Sequence, residues 1–111
     1  MTKTYPAVDP DRDVFGVRAI AAAYYTLNAA RDVIQIGQND GRANEVTERW
    51  LKQIAEKLDS EIEIAISRLN DPACGDVDNS IRLFVLMDRA NRCGDLEGLA
   101  RLAASVKRRA A

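Results

Sequence analysis

An apolar seam in the middle of the chain constrains the fold more than any other feature of the sequence. Its members, which alternate steps of four and three residues, are Leu51, Ala55, Leu58, Ile62, Ala65 and Leu69. This period, close to that of coiled coils, places all of them on one face of a long α-helix. Asn44 offers capping chemistry before the seam, and Asn70-Asp71-Pro72 ends it because a residue before proline avoids helical angles. The sequence therefore predicts a helix over about residues 42–69.

A second long helix is predicted ahead of this one. Apolar residues at spacings of three, four and seven mark its first face: Val17, Ile20, Tyr24, Leu27 and Ile34. Others fill the adjoining angles: Phe15, Ala22, Ala29, Val33 and Ile36. Such a wide stripe favours burial on more than one side. Asp9 and Pro10 suit the N-cap and the first helical position, and the Gly-containing stretch 37–41 is typical of a turn. We expect this helix over about residues 11–37.

Two shorter helices are predicted in the C-terminal part of the chain. We expect the first over about residues 78–92, with Gly94 in the left-handed position that ends a helix. Asp95 caps the second, expected over about residues 95–109. Because no segment alternates as a strand does, the predicted class is all-α, a small bundle of four helices whose two long members form an antiparallel hairpin. Residues 1–111 fit a single domain with a short flexible N-terminal segment.

The residue types needed for most catalytic chemistry are missing from the sequence. The chain contains no histidine, which removes the commonest general base and metal ligand. It also lacks a Gly-rich phosphate loop and a nucleophile elbow. We therefore expect neither enzymatic activity nor a cofactor.

Two pairs of carboxylates in the second helix are the one pattern that suggests a metal site. Glu45 with Glu48, and Glu56 with Asp59, are spaced like the metal-binding carboxylates of all-α nucleotide pyrophosphatases. Both pairs lie on one predicted helix, where ~12 Å separate Glu48 from Glu56, too far for ligands that must approach one ion to ~2.0–2.6 Å. We interpret them as a solvated flank. The further acidic residues of 56–63 are either solvated too or a charged rim around an interface.

Cysteine positions and hydropathy bear on the compartment. Cys74 and Cys93 flank the predicted third helix, whose ~16 residues separate its ends by ~24 Å. Since a disulfide needs Cα atoms within ~7 Å, we expect two free thiols. Residues 1–13 lack the apolar run of a signal peptide, and the longest apolar run, 19–25, is too short to cross a bilayer. These features predict a cytoplasmic protein with no membrane partner.

The C-terminal half carries the only pattern that points to nucleic acid. Ala90 and Gly94 have the spacing of a helix-turn-helix, but Arg89 and Asp95 stand where that motif usually has apolar residues. The basic residues that would contact phosphates are Arg82, Arg89, Arg92, Arg101, Lys107, Arg108 and Arg109. The simpler interpretation is that they complement helix dipoles or form a solvated tail. The formal net charge of -1 gives no overall attraction to nucleic acid.

The broad stripes of the two long helices favour contact with another protein chain. Part of a hairpin ~40 Å long would remain uncovered in a monomer whose other helices are short, and self-association is the simplest way to cover it. We therefore expect a homodimer and a non-catalytic protein-binding regulatory or adaptor module, with inhibitor, immunity and antitoxin-like roles all open. The residues expected to contact the partner are Tyr25, Trp50, Ile54 and Ile64. The alternative is a helical nucleic-acid-binding regulator that uses the basic C-terminal half.

Overall fold

The computed structural model describes residues 16–70 and 75–110, with side chains described up to residue 106. Four α-helices follow one another along the chain: α1 (Val17–Asn39), α2 (Glu45–Ser67), α3 (Asp76–Arg92) and α4 (Leu96–Ala110). The described residues contain no strand. The predicted all-α bundle is confirmed, with two longer helices before two shorter ones.

The start of α1 differs most from the prediction. This helix begins at Val17 and not near residue 11, because the backbone of Gly16 is extended, with a ψ of 162°. Glycine is a weak helix former, and the apolar stripe, which continues to Phe15, gives no sign of the break. The predicted cap at residues 9–10 lies outside the described residues.

The second helix begins where its capping chemistry predicts. The side-chain oxygen of Asn44 accepts a hydrogen bond of 2.8 Å from the backbone N–H of Thr47. The helix is shorter than the predicted 42–69, because residues 42–44 belong to the connection and residues 68–70 to a closing turn. Leu69 nevertheless remains part of the core, fully buried just beyond the helix.

Packing of α1 against α2 forms the antiparallel hairpin, and α3 packs against α1. A Cβ atom on Gly37, near the end of α1, would meet the Leu51 side chain near the start of α2 at 3.5 Å. Arg31, earlier in α1, pairs with Asp59, later in α2. This order of contacts is that of antiparallel helices. Buried residues of α1, α2, α3 and the turn after α2 form the core: Ile20, Ala21, Tyr24, Ile62, Ala65, Leu69 and Val85.

The fourth helix is placed by the turn that joins it to α3. Gly94 adopts a φ of 71°, the N–H of Gly94 donates to the carbonyl of Asn91 at 3.1 Å, and the N–H of Asp95 donates to that of Ala90 at 2.8 Å. This is a Schellman ending for α3. The Asp95 carboxylate then accepts from the N–H of Gly98 at 2.9 Å, capping α4 as predicted. The shortest extent of the Cα atoms is 15 Å, the thickness of two helix layers, so every helix keeps a side toward solvent.

Candidate protein-binding surface

The side of α1 that faces away from α2 and α3 is apolar. Ala22, Tyr25, Ala29, Val33 and Ile36 follow one another at steps of three and four residues, which places them on one stripe of the helix. We call these five residues the outer seam. All five are exposed. The exposed fractions of the three largest are 47% for Tyr25, 65% for Val33 and 70% for Ile36. The buried residues of the helix occupy its opposite side.

Few charges surround the outer seam. Residues 19–30 contain no charged side chain, and the nearest charges are Arg18 before this stretch and Arg31 and Asp32 after it. Arg31 turns toward α2 and Asp32 toward α3, each in an ion pair. A helix surface that faces water normally carries charged and polar residues. The outer seam is therefore apolar surface that the described part of the chain leaves uncovered.

Three of the four predicted partner-contacting residues lie on one flank of α2. Trp50 and Ile64 are exposed, by 62% and 45%, and Ile54 is half-buried. We call these three residues the α2 flank. The core face of the helix, which carries Ala55 and Ile62, lies to one side of them. Trp50 stands at the loop end of the hairpin, and Ile64 lies ~21 Å farther along the helix axis.

The hairpin register decides which predicted residues come together. Tyr25 of α1 lies at the same end as Ile64, whereas Trp50 lies at the loop end, where Val33 and Ile36 also lie. The structure thus divides the predicted four residues between the two ends of the hairpin. Val33 and Ile36, which widen the apolar stripe of α1 in the sequence, are more exposed than Tyr25 although neither is among the four predicted residues.

The two adjacent tyrosines of α1 separate into one core residue and one surface residue. Their rings meet edge to face, with centroids 5.3 Å apart and an interplanar angle of 77°. Tyr24 is fully buried and Tyr25 is exposed, as adjacent helical angles predict. Burial, followed by a hydrogen bond to Asp88, raises the pKa of Tyr24 well above its ordinary value of 10.0. Tyr24 is therefore a neutral hydrogen-bond donor at physiological pH.

Several acidic residues of α2 take part in ion pairs within the chain. Asp59 pairs with an arginine of α1, and Glu63 with an arginine of α3. Glu61 pairs with Lys57 one turn earlier, at 3.1 Å. The described residues contain no group of acidic or cysteine side chains arranged to hold a metal ion. Asp59 and Glu63 therefore join α2 to its neighbouring helices, whereas Glu61 pairs within α2.

Three of the basic residues considered for nucleic acid are engaged inside the fold. Arg82 donates to two backbone carbonyls just after α2, at 2.6 and 2.8 Å. Arg89 pairs with a glutamate of α2, and Arg92 with an aspartate of its own helix. Arg101 is exposed, and the side chains of residues 107–109 lie outside the described part of the chain. The fold thus uses much of the basic character of α3 for its own stability.

An open groove with a volume of about 380 Å³ separates α3 from α4. Leu86 and Leu102 contribute apolar walls, and Cys93 lies at its edge as an exposed free thiol. Cys74 lies outside the described residues, so the expectation of two free thiols stays a prediction.

No protein-family model, curated protein or solved structure matches this chain. Within the described part, none of the helices combines the length and the apolar character that crossing a membrane requires. Function is therefore inferred from the exposed surface of the hairpin and from the chemistry of the residues on it.

Proposed function

We propose that this chain is a non-catalytic protein-binding module that acts through its α1–α2 hairpin as a regulator or adaptor. The observation that carries the proposal is the outer seam, an apolar stripe ~21 Å long on a helix whose opposite side already forms the core. The lack of histidine in the sequence supports a role without catalysis. The exposed thiol of Cys93 suits a reducing compartment, which supports action in the cytoplasm.

Exposed apolar side chains give the hairpin surface a driving force for association. Fully burying one large apolar side chain contributes about 1.5–3 kcal/mol. Val33, Ile36 and Trp50 each keep more than half of their side chain exposed, so covering them together would stabilise a complex by several kcal/mol before the entropic cost of binding. Because tyrosine and tryptophan are enriched among residues that dominate binding energy, we assign the anchoring roles to Tyr25 and Trp50.

Ion pairs border this apolar surface along α2. Glu45 and Arg49 pair at its first turn, and Lys57 and Glu61 pair between Ile54 and the far end of the helix. Exposed pairs of this kind contribute little to stability, but they influence the rate of association and the choice of partner. An apolar surface with charges beside it fits a protein partner, and inhibitor, immunity and antitoxin-like roles are all consistent with it.

Affinity purification from the source cells tests this proposal, provided that the co-eluting protein is identified and purified. Its binding is then compared between the wild type and the double variant Trp50→Ala/Ile64→Asp. The double variant removes an aromatic anchor and places a charge on the α2 flank. We expect its affinity for the partner to fall by at least about tenfold, with an unchanged helical circular dichroism spectrum.

The matched control is deletion of residues 106–111, which should leave partner binding intact. A gel shift with duplex DNA and with RNA, at low and high salt, examines the alternative function. If the deletion abolishes nucleic-acid binding while the double variant keeps wild-type partner affinity, the chain is a nucleic-acid-binding regulator and the present proposal is wrong.

A further inference from the structure

The outer seam has a pattern that matches itself when reversed. Ala29 stands at its centre, Tyr25 and Val33 lie four residues to either side, and Ala22 and Ile36 lie seven residues to either side. We infer that the outer seam pairs with the outer seam of a second copy, antiparallel, about a two-fold axis beside Ala29. This inference rests on the proposed function of the hairpin as a protein-binding surface and specifies one occupant for it.

Side-chain sizes are complementary under this two-fold rotation. Ile36 comes opposite Ala22 of the second copy, so the largest aliphatic side chain of the outer seam faces one of its smallest. Tyr25 comes opposite Val33, and Ala29 opposite itself. A small residue at the axis lets the two backbones approach closely, as helices with alanine at the contact allow. A self-complementary patch of this kind is what a two-fold symmetric interface requires.

Charges at the ends of the seam support the same arrangement. The rotation that places Ala29 opposite itself also places Arg18 opposite Asp40 of the second copy. Both side chains reach solvent, with 72% and 32% of their surface exposed. Arg18 already pairs with Asp78, and Asp40 accepts two hydrogen bonds from Arg42, so a contact across the interface would add to these pairs and not replace them. The two ends of the interface would therefore each gain a pair of opposite charges.

A parallel pairing lacks this complementarity. It would place Arg18 beside Arg18 and Asp40 beside Asp40, and like charges in contact are destabilising. The charge pattern thus selects the antiparallel orientation.

The α2 flank is a second exposed apolar area on the same hairpin. Glu63 of α2 pairs with α3, and Ile54 lies on the opposite side of the helix, because nine residues turn a helix through two and a half turns. Trp50 lies one turn before Ile54. The α2 flank therefore lies on the side of α2 away from α3. A stable dimer buries about 1,000 Å² or more in total. In a two-fold symmetric dimer each copy contributes the same surface, so any area on this hairpin counts twice.

Light scattering of the purified full chain, with no other protein present, tests self-association separately from partner binding. The wild type should have twice the chain mass of 12.3 kDa at micromolar concentration. Val33→Asp should weaken dimerisation by at least about tenfold, because it buries a charge in the seam. Val77→Asp is the matched control, since Val77 of α3 is 64% exposed and Val33 is 65% exposed. We expect this control to stay dimeric.

Thiol cross-linking tests the orientation in a background of Cys74→Ser and Cys93→Ser. Under the antiparallel pairing, a short cross-linker joins an Ala22→Cys chain to an Ile36→Cys chain when the two are mixed. Neither variant cross-links to itself, because its two thiols are ~21 Å apart along the axis. A folded monomeric wild type, a Val33→Asp variant as dimeric as the control, or self-cross-linking of either single variant would each overturn the inference. A monomeric Val33→Asp variant supports the inference whether or not it binds an external partner, so this measurement is independent of the test of the proposed function.

Discussion

The hydroxyl of Tyr24 donates a hydrogen bond of 2.7 Å to the carboxylate of Asp88, which joins α1 to α3 across 64 residues of sequence. Asp88 also accepts a hydrogen bond of 2.9 Å from Nε of Arg92. Nη1 of the same arginine lies 3.5 Å from a carboxylate oxygen of Asp32 in α1. The phenol ring is fully buried beside apolar core residues. This contact therefore connects the apolar core to a polar network at its edge.

Tyr24→Phe should destabilise the protein by about 1.5–3 kcal/mol. The substitution keeps the ring in the core but removes a hydrogen bond to a charged acceptor. Tyr25→Phe, which removes an exposed hydroxyl on the same turn, should change the free energy of unfolding by less than about 0.5 kcal/mol. Urea unfolding followed by circular dichroism measures both variants. Equal effects of the two substitutions would show that the bond to Asp88 contributes nothing.

Stability should fall with rising pH above the ordinary tyrosine pKa of 10.0. Burial and the bond to Asp88 raise the pKa of Tyr24 in the folded state, so the unfolded chain loses this proton at a pH where the folded chain keeps it. The contribution of Tyr24 to stability is complete below the pKa of tyrosine in the unfolded chain. It is lost as the pH rises toward the pKa of Tyr24 in the folded chain, with a slope of at most about 1.4 kcal/mol per pH unit.

Urea unfolding from about pH 8 to about pH 11 measures this loss. Other groups titrate in the same range, so the quantity to compare is the difference in free energy of unfolding between the wild type and Tyr24→Phe. That difference should shrink as pH increases above 10.0. A difference that stays constant over the whole range would contradict the assignment.

Periodicity in the sequence predicts the helices well but not which residues meet between them. The seam from Leu51 to Leu69 and the cap at Asn44 are properties of one segment, and both are confirmed. The bond between Tyr24 and Asp88 depends on how α3 crosses α1, which no local pattern specifies. The wide apolar stripe of α1 likewise does not indicate which neighbouring helix covers which side. Two apolar sides were predicted, but only the structure shows that α2 and α3 leave the outer seam open.

Gly98 and Asp95 should be energetically coupled at the start of α4. A Cβ atom on Gly98 would collide with the Asp95 carboxylate that caps the helix. Gly98→Ala alone should therefore bring no gain, because the better helix former displaces a cap that stabilises by about 0.5–2 kcal/mol. In an Asp95→Ala background, the same substitution should stabilise by about 0.5–1 kcal/mol. A double-mutant cycle of unfolding free energies measures the coupling.

Gly37→Ala is the control for this cycle. Gly37 lies inside α1, and its new Cβ atom would meet Leu51 at 3.5 Å, an ordinary contact distance. We expect a stabilisation of about 0.5–1 kcal/mol from the loss of glycine's conformational freedom in the unfolded chain. If Gly98→Ala in the wild-type background gains as much as Gly37→Ala, the collision with Asp95 does not control this position.

Arg82 should matter for stability, whereas Arg101 should not. The Arg82 guanidinium donates to the carbonyls of Leu69 and Asn70, at 2.6 and 2.8 Å, and so supplies partners to backbone groups in the turn after α2. Arg82→Gln should therefore cost about 1–3 kcal/mol, because hydrogen bonds from a charged donor are lost near a buried leucine. Arg101→Gln changes an exposed side chain and should cost less than about 0.5 kcal/mol.

Thermal and urea unfolding of the two arginine variants, together with a gel shift, separate a structural role from phosphate binding. If Arg82 has a structural role, its replacement lowers the melting temperature and leaves any nucleic-acid affinity of the folded protein unchanged. A phosphate-contacting Arg82 would instead weaken nucleic-acid binding and reduce its salt dependence, with stability unchanged. That second outcome would show that α3 presents its basic residues to nucleic acid and does not use Arg82 to hold the end of α2.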